Sequence, residues 1–416
     1  MYERIINLTP VTESLKELVT AIINEWQNAS VRVFIWDGLA ADQAMTWEKW
    51  VGIPSEQFLR VAHEDYQQGW NGSYIIIFRK NTMSSGYLKG LQAAAEDALW
   101  SANGCVMLDQ AHQGLLNNMI IIGEHTTEHD IQITLSLLLS PNGKDFITGG
   151  AIHLEYGNRD FSESNKENKA MRVLITGGGG SLGFASARKF VGEGAEVILV
   201  DKCSQKLLHE RAQLLGGCDY YQLDLCDREK LEKLIRDGAF GDQLDVVIFN
   251  HGLGSEGMKF PFEQRIKQGM EVNGTSVYHA VMLLLPLLKN AGGASVIITS
   301  SHCGIRPEPK LGYYCTPKGA VIGLVRGMAY ALAENQIGIY AYSPGCINND
   351  NMCTYWEEHG REIGKSPEET KEERINMIPV HKLGDPESAA EQIFYMSQLD
   401  ATGVLLNASG GESLAR

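Results

Sequence analysis

The stretch Met171–Asp201 constrains the fold of this 416-residue chain more than any other segment. An apolar run at 173–175 predicts a buried strand, and four consecutive glycines at 177–180 interrupt it. Gly183 then begins a predicted helix, and a second predicted strand at 196–200 ends at the aspartate. A strand, a glycine-rich turn, a helix and a second strand in this order are typical of a dinucleotide-binding site, where the pyrophosphate lies at the helix N-terminus.

The spacing within this stretch bears on which dinucleotide is bound. Gly178, Gly180 and Gly183 fit the pattern G-x-G-x-x-G, and Asp201 follows Gly178 by 23 residues (201 − 178). A carboxylate at that distance accepts hydrogen bonds from ribose hydroxyls and repels a 2′-phosphate. An ordinary flexible loop is the alternative explanation of the glycines, but their position between two strands disfavours it. The segment therefore predicts NAD as the cofactor, in preference to NADP.

Composition excludes several classes of function. The apolar fraction is 44% and the formal charge is −15, which describes a globular protein and argues against nucleic acid or an anionic membrane as a partner. No apolar run approaches the roughly 20 residues that span a bilayer, and the N-terminus lacks the pattern of a secretory signal. The eight cysteines are scattered, without C-x-x-C or metal-ligand spacing. We expect reduced thiols, no metal site and a cytoplasmic protein.

The chain divides into two α/β regions. The polar segment 158–170 contains almost no large apolar residues, which predicts a linker between a domain at 1–157 and a domain at 171–416. In the second domain, strands separated by helices predict a doubly wound parallel sheet of the Rossmann type, with its site at the C-terminal ends of the strands. In the first domain, apolar periodicity predicts further strands and helices, ending in a strand at 146–154.

Several motifs after the glycine turn occur in a familiar order. Tyr314 and Lys318 form a Y-x-x-x-K motif, and Ser301 lies 13 residues before Tyr314. Asn273 stands in a V-N-G context within a predicted helix at 263–288. Together with Thr176–Gly183, Phe249–Gly252 and Pro344–Gly345, these residues make the second domain resemble the short-chain dehydrogenase/reductase family in its single-domain form.

The resemblance implies a set of functional residues. Tyr314 would act as general acid and base, Lys318 would support it, Ser301 would bind the substrate oxygen, and Asn273 would hold a water that relays the proton. The cofactor contacts it implies are Gly177, Gly180, Ser181, Leu182, Gly183, Asp201, Asp224, Leu225, Asn250, Gly252, Pro344, Gly345 and Ile347.

The tyrosine–lysine pair also makes chemical sense on its own residues. A free tyrosine has a pKa near 10, which is too high for proton exchange at neutral pH. Lys318, four residues on in a helix, can bring its ammonium near Tyr314. This charge, together with that of an oxidised nicotinamide, is expected to lower the pKa of the phenol. A lone pair of this kind usually lies on a solvated helix face, but Ser301 and Asn273 in register favour an active site. For His302, contact with substrate and capping of a loop both remain open.

These features predict an NAD(H)-dependent oxidoreductase that interconverts a secondary alcohol and a ketone. The charged segment 355–371 is expected to form a lid, and its charge indicates a small polar substrate. A dehydratase or epimerase that uses transient oxidation remains an alternative, as does a protein that senses NAD without turnover. The complete set of serine, tyrosine and lysine argues against the sensor.

The first domain shows a weaker, partial resemblance to the same family. Residues 13–26 and 31–36 resemble its third helix and fourth strand, and residues 130–157 resemble its last helix and strand. Placing Gly90–Leu91 on Gly323–Leu324 puts Asn81 at the position of Tyr314 and Ser85 at that of Lys318. This domain therefore lacks the phosphate turn and the proton donor, and we expect it to be inert.

The resemblance also implies how the two domains meet. Relatives pair through the two long helices that flank the site. We therefore expect an internal pseudo-dimer in which helices 58–70 and 86–100 pack on helices 263–288 and 313–334. We further expect two chains to associate as a homodimer through the remaining family interface.

Overall fold

A computed structural model describes residues 5–414 apart from several short segments. The segments outside the description are 9–10, 26–30, 38–52, 69, 71, 81–86, 112–115, 124–125, 141, 144–145, 155–169, 255–259 and 310. The predicted linker, except for Ala170, and the positions Asn81 and Ser85 therefore lie outside the described residues.

The first half forms a parallel sheet of five strands. These are β1 (Ile5–Asn7), β2 (Val31–Asp37), β3 (Ser73–Arg79), β4 (Leu116–Ile122) and β5 (Gly150–His153), hydrogen-bonded in chain order. Its helices are α1 (Glu13–Glu25), α2 (Ile53–Gln67), α3 (Tyr87–Gln110) and α4 (Glu128–Leu139). The side chains of α1 and α4 join the core on one face of the sheet, and those of α2 and α3 join the core on the other. Coverage of both faces explains why strands such as β2 are buried along their whole length.

The second half forms a seven-stranded parallel sheet in the order β12-β11-β10-β9-β6-β7-β8. Its strands are β6 (Arg172–Thr176), β7 (Glu196–Asp201), β8 (Asp219–Gln222), β9 (Val246–Phe249), β10 (Ala294–Thr299), β11 (Ile337–Pro344) and β12 (Leu405–Ala408). Its helices are α5 (Ser181–Gly192), α6 (Gln205–Leu214), α7 (Arg228–Arg236), α8 (Phe262–Met270), α9 (Ser276–Asn290), α10 (His302–Ile305), α11 (Gly312–Ala333), α12 (Asp350–Ile363), α13 (Pro367–Met377) and α14 (Pro386–Ser397). Helices cover both faces, which confirms the predicted doubly wound sheet.

The two sheets share one local arrangement at their outer strands. In the first half, the N–H of Asn117 on β4 donates to the hydroxyl of Thr148 at 2.9 Å, just before β5. In the second half, the N–H of Ile339 on β11 donates to the hydroxyl of Thr402 at 2.9 Å, just before β12. A threonine hydroxyl thus fixes the turn that precedes the last strand in each half.

The halves meet through α4, α14 and the outer strands β5 and β12. Oδ1 of Asp130 on α4 accepts hydrogen bonds from the backbone N–H groups of Asp400 (2.8 Å) and Ala401 (2.9 Å). Apolar side chains from both halves form one continuous core around this contact, including Leu135 on α4 and Ile393 on α14. The predicted pairing through the long helices is therefore wrong, because the apolar surfaces that bury each other lie on α4 and α14.

Two further predictions need correction. The strand expected at 146–154 begins only at Gly150, because Phe146 adopts a left-handed backbone conformation with φ of +67°. The helix expected at 263–288 is divided by a π-helical turn at Glu271–Thr275, which contains Asn273. In the part of the chain that the structure describes, no helix is long and apolar enough to cross a membrane.

Candidate active site

A cavity of about 650 Å³ opens at the C-terminal ends of the central strands of the larger sheet. This is where the chain leaves β6 and β9 toward opposite faces of the sheet, the usual position of a ligand in such folds. The sequence-predicted residues that line it are Gly177, Gly180, Ser181, Leu182, Asp201, Asp224, Leu225, Asn250, Gly252, Ser301, Tyr314, Lys318, Pro344, Gly345 and Ile347. Gly183 and Asn273 lie behind the lining.

The glycine turn brings backbone close to backbone. Gly177 has a φ of +68°, which a side chain would strain, and a Cβ on Gly183 would lie 2.2 Å from the carbonyl oxygen of Gly177. Gly180 precedes α5 and has no side chain with which to cap the helix. The first N–H groups of α5 therefore receive no capping hydrogen bond from a side chain of Gly180. N–H groups of this kind, at a helix N-terminus beside the cavity, can bind an anion.

Acidic and basic side chains lie together beyond this turn. Asp201 ends β7, and its carboxylate oxygens accept hydrogen bonds from the N–H groups of Gly179 and Cys203, both at 2.9 Å. Lys202 and Arg211 line the same end of the cavity. The carboxylate predicted to select NAD is thus held in place by the backbone and has two cations close by.

Ser301 and Tyr314 both stand in the wall of the cavity, where the serine hydroxyl acts to lower the pKa of the phenol. Ser301 precedes α10, and its hydroxyl oxygen accepts from the N–H of Cys303 at 3.2 Å. The neighbouring Ser300 donates its hydroxyl to the carbonyl oxygen of Lys318 at 2.7 Å, which ties the end of β10 to α11. The two elements that carry the predicted catalytic groups are therefore fixed to each other.

Lys318 is buried behind this pair. Its Nζ donates to the carbonyl oxygen of Thr299 at 2.7 Å and lies 5.8 Å from the centre of the Tyr314 ring. Burial lowers the pKa of Lys318 to about 8, because a charged ammonium is poorly solvated there.

The protein's own groups raise the pKa of Tyr314, and the lowering expected with an oxidised nicotinamide stays a prediction. Burial is the main cause of the rise, and the Ser301 hydroxyl offsets only part of it. The lysine charge that was expected to lower the pKa is engaged with Thr299. Tyr314 is therefore held in its protonated form at neutral pH.

Asn273 organises the loop that follows β9. Its Oδ1 accepts from the N–H of Leu253 at 2.7 Å, and its Nδ2 donates to the carbonyl oxygen of Leu253 at 2.9 Å. The π-helical turn places the fully buried amide against this backbone. The predicted water relay at Asn273 stays a prediction.

His251 lies in the segment Phe249–Gly252, directly after β9. Its ring nitrogens lie 2.7 Å from the hydroxyl oxygen of Thr176 and 3.0 Å from that of Ser276. Burial lowers the pKa of His251 to about 3, and the charge of Lys318 adds to the effect. His251 is thus a neutral bridge between β6 and α9.

A second polar group lies at the other end of the cavity. Nη2 of Arg374 on α13 donates to Oε1 of Glu308 at 2.7 Å and also pairs with Glu412. His302 lies 3.2 Å from Glu308 and 3.6 Å from Glu412, measured from its Nε2. Although burial acts to raise the pKa of Glu308, the hydrogen bond from His302 and the charge of Arg374 hold it at about 2.

Three of the side chains near this group could offer ligands to a metal. One ligand atom from each of His302, Cys303 and Glu308 lies within 4.8 Å of the others. The guanidinium of Arg374, however, lies 2.7 Å from the Glu308 carboxylate and 3.2 Å from Nε2 of His302. A metal ion at this position would meet that positive charge, which disfavours metal binding.

Comparison with known proteins agrees with this geometry. The sequence model of the short chain dehydrogenase family matches residues 171–360. The 3-oxoacyl-acyl-carrier-protein reductase FabG of Thermotoga maritima is 27% identical over 247 residues, which are 57% of this chain and 96% of that protein. Meso-2,3-butanediol dehydrogenase of Serratia marcescens is 28% identical over 55% of this chain and 88% of that enzyme. The second half of the chain belongs to the short-chain dehydrogenase/reductase family.

Solved structures show the same fold. The actinorhodin polyketide ketoreductase with NADPH matches 58% of this chain and 97% of that one, with a TM-score of 0.54 and 21% identity. L-sorbose reductase from Gluconobacter frateurii, in complex with NADPH and L-sorbose, matches the same share of each chain with a TM-score of 0.52 and 22% identity.

The residues of this short-chain dehydrogenase domain fit a nicotinamide dinucleotide. A Cβ on Gly183 would close the turn that approaches the pyrophosphate, and a Cβ on Gly252 would lie 2.9 Å from Oδ1 of Asn273. The N-terminus of α5 faces the cavity beside them. Such a cofactor would be held by the glycine turn, by Asp201 and by the backbone after β9, next to Tyr314.

Sequence reasoning missed the polar group at the far end of this cavity, apart from the question it left open on His302. Arg374 lies just beyond the predicted lid at 355–371, which the structure resolves into α12 and α13. Met352 and Tyr355 on α12 line the cavity with Arg374. The weak signal available was an arginine in an otherwise mostly acidic helix, and nothing in its local pattern distinguishes it from a solvated side chain.

Proposed function

We propose that this short-chain dehydrogenase is an NAD(H)-dependent oxidoreductase that interconverts a secondary alcohol and a ketone on a small polar molecule. The observation that carries the proposal is that Ser301, Tyr314 and Lys318 stand in the wall of the same cavity as the glycine turn. A proton donor and a dinucleotide cradle in one cavity are the two parts that carbonyl reduction needs.

The proposed chemistry assigns one step to each side chain. A bound reduced nicotinamide supplies the hydride. The hydroxyl of Ser301 donates a hydrogen bond to the substrate oxygen and orients it. Tyr314 gives its proton to that oxygen as negative charge develops, and its raised pKa keeps the proton available at neutral pH. Lys318, with a pKa of about 8, stabilises the phenolate that results.

NAD is the proposed cofactor because of Asp201. Its carboxylate is fixed by Gly179 and Cys203 at the end of β7, where it would repel a 2′-phosphate. Lys202 and Arg211 oppose this effect, since both cations line the same end of the cavity. The structures of the polyketide ketoreductase and of L-sorbose reductase contain NADPH, so the proposed preference for NAD rests on Asp201 of this chain.

The far end of the cavity supports a polar substrate. Glu308 and Arg374 both line it, and His302 lies between them. Two carboxylates, Glu308 and Glu412, surround one guanidinium, which leaves an excess of hydrogen-bond acceptors. This favours a substrate that carries hydroxyl groups over one that carries a carboxylate or a phosphate.

We infer that the first half is a diverged copy that binds no nucleotide. The C-terminal ends of β2 and β3, where the second half keeps its cavity, hold a polar cluster that satisfies itself. The carboxylate of Asp37 accepts from the backbone N–H and the hydroxyl of Thr12 at 3.0 and 2.9 Å, and Arg79 pairs with both residues. Among the described residues, side chains of this half therefore occupy the ends of β2 and β3.

The proposal is tested by following NADH oxidation with a panel of hydroxyketones and keto sugars. Turnover of at least one polar ketone is expected, and Tyr314→Phe should lower kcat by about 10²–10⁴-fold while NADH still binds. Tyr313→Phe is the matched control, since it removes the neighbouring hydroxyl, which donates to the carbonyl oxygen of Gly254 at 3.2 Å. NADH binding without turnover of any panel member would favour the sensor, and full activity of Tyr314→Phe would reject the assigned role.

A further inference from the structure

Phe146 belongs to the first half of the chain, but its side chain is buried in the second. It lies between α4 and β5 and is 3% exposed. Its ring forms a small separate core with Cys346 and Ile378, against which Met352, Val380 and Leu383 pack. All of these neighbours come from the segment around α12 and α13 of the catalytic half.

Three glycines form the slot that receives this ring. A Cβ on Gly345, Gly384 or Gly410 would lie 2.9, 3.1 or 2.5 Å from ring atoms of Phe146. Because Cβ contacts below 3.0 Å force a shift, a side chain at Gly345 or Gly410 would displace the ring or the glycine backbone. The slot thus depends on an aromatic group that another part of the chain supplies.

The backbone of Phe146 is held in an unusual conformation. Its φ of +67° is unfavourable for a residue with a large side chain. Its carbonyl oxygen accepts a hydrogen bond from the N–H of Gly410 at 2.8 Å, which fixes it to the turn after β12. Strain of this kind persists only where the surroundings over-determine the conformation, and it is concentrated at functional sites.

The slot lies directly behind the candidate active site. Gly345 and Cys346 line the cavity on one side and contact the ring on the other. Ile378 directly follows α13, which carries Arg374, and Nε of Arg374 donates to Sγ of Cys346 at 3.3 Å. Any movement of the ring would therefore reach the side chain that pairs with Glu308.

A second side chain of the first half supports the same region. Met107 on α3 contacts the positions of Gly149 and Gly411, with its Sδ 2.6 Å from a Cβ placed on Gly411. Gly411 precedes Glu412, which pairs with Arg374. Each partner of this ion pair is thus linked to the first half through one neighbour: Glu412 follows Gly411, and Arg374 contacts Cys346.

We propose that Phe146 is a positioning residue for the active site, through which the first half sets α12 and α13 over the cavity. The first half is then more than a scaffold for folding, because the ring of Phe146 determines the positions of Arg374 and Met352. The expected effect on KM rests on the proposed function, whereas the expected effect on the positions of α12 and α13 does not.

The test measures amide hydrogen exchange of the full chain in the presence of NADH. Phe146→Ala should make the amides of α12 and α13 exchange about tenfold faster or more, while α5 and α11 keep their protection. Phe146→Leu should restore most of the protection, because it returns apolar volume to the slot. Leu137→Ala is the matched control: it removes a buried side chain from α4, in the contact between the halves but outside the slot.

A kinetic measurement complements the exchange data. With the panel ketone of highest turnover, Phe146→Ala should raise KM about tenfold or more and change the dissociation constant of NADH less than about twofold. Equal protection of α12 and α13 in Phe146→Ala and the parent chain would overturn the proposal, even if activity were lost. Equal loss of protection in Leu137→Ala would also overturn it, since it would show a general effect of the contact between the halves.

Discussion

The guanidinium of Arg374 donates to the carboxylate of Glu308 at 2.7 Å, although the two residues lie 66 positions apart in the chain. One partner comes from α13 and the other from the loop after α10, so the bond closes the far end of the cavity. Both side chains are largely buried, at 11% and 23% exposed. Removal of Arg374 would leave two buried carboxylates, Glu308 and Glu412, without their shared guanidinium.

Arg374→Met should therefore reduce both stability and substrate binding. Breaking a buried ion pair by removing one partner typically costs about 3–5 kcal/mol, and here Glu412 also loses its partner. We expect a lower Tm and a higher KM for polar ketones. The double variant Glu308→Gln with Arg374→Met should cost less than the sum of the single variants. Additive losses in thermal melts would show that the pair contributes no coupling.

Asp201→Ala tests the basis of the cofactor preference. Loss of the carboxylate removes the repulsion of a 2′-phosphate and leaves Lys202 and Arg211 nearby. The ratio of kcat/KM with NADH to kcat/KM with NADPH should fall about tenfold or more, which corresponds to about 1.4 kcal/mol. Asp224→Ala is the control, because this exposed carboxylate should affect both cofactors alike. A parent enzyme that prefers NADPH would contradict the proposal.

The pH dependence of ketone reduction should reflect Lys318. Its pKa of about 8 means that the ammonium is lost as the pH rises above that value, while Tyr314 keeps its proton. We expect kcat/KM to be level near neutral pH and to fall above about pH 8. Lys318→Arg keeps its charge at high pH, so any residual activity should fall at a higher pH. An unchanged alkaline limb in this variant would assign the limb to another group.

The same pKa predicts how stability varies with pH. Folding lowers the pKa of Lys318 from about 10.4 in an unfolded chain to about 8. Between these values the unfolded chain binds more protons, so Lys318 makes the free energy of unfolding rise with pH. Lys318→Met should remove this part of the slope in denaturant titrations at pH 8 and pH 10. An identical slope in both proteins would contradict the buried environment of this lysine.

How much of the fold and of the site could be predicted from the sequence depends on how far apart the interacting residues lie in the chain. The glycine turn and the spacing of Ser301, Tyr314 and Lys318 are local patterns, and one cavity brings all of them together. Glu308, Arg374 and Glu412 come from three distant segments, so only tertiary packing reveals the group they form. Phe146 was assigned to a strand because an apolar run follows it, but the contacts of its ring impose a left-handed conformation instead.

The contact between the halves depends on Asp130. This carboxylate is fully buried and accepts from the N–H groups of Asp400 and Ala401. Asp130→Ala would leave both donors buried without an acceptor, at a cost of about 1–3 kcal/mol each. We expect a clearly lower Tm, whereas Asp130→Asn should lose less because its amide oxygen can still accept. Equal melting of the alanine variant and the parent chain would contradict this role.

The second half expressed alone should not behave as an independent domain. Removal of residues 1–170 uncovers the apolar surface of α14 and β12 that α4 and β5 bury. A contiguous apolar surface that is exposed to water promotes association. We expect the fragment 171–416 to aggregate or pair with itself in light-scattering measurements. A monomeric and fully active fragment would reject the dependence of the catalytic half on its partner.

Finally, the long helices leave an apolar surface available for a second chain. Ile266 and Met270 on α8, Tyr278 and Met282 on α9, and Tyr330 on α11 are all at least 38% exposed. Because the halves meet through α4 and α14, these exposed side chains are free of that contact, and we propose that two chains form a homodimer through them.

Met282→Glu with Tyr330→Glu should shift the mass from dimer to monomer in light scattering, without lowering Tm to the same extent as Asp130→Ala. Leu214→Glu on α6 is the control, since that exposed leucine lies on a different helix of the catalytic half, and it should leave the mass unchanged. A parent chain that is monomeric at micromolar concentration would reject this interface.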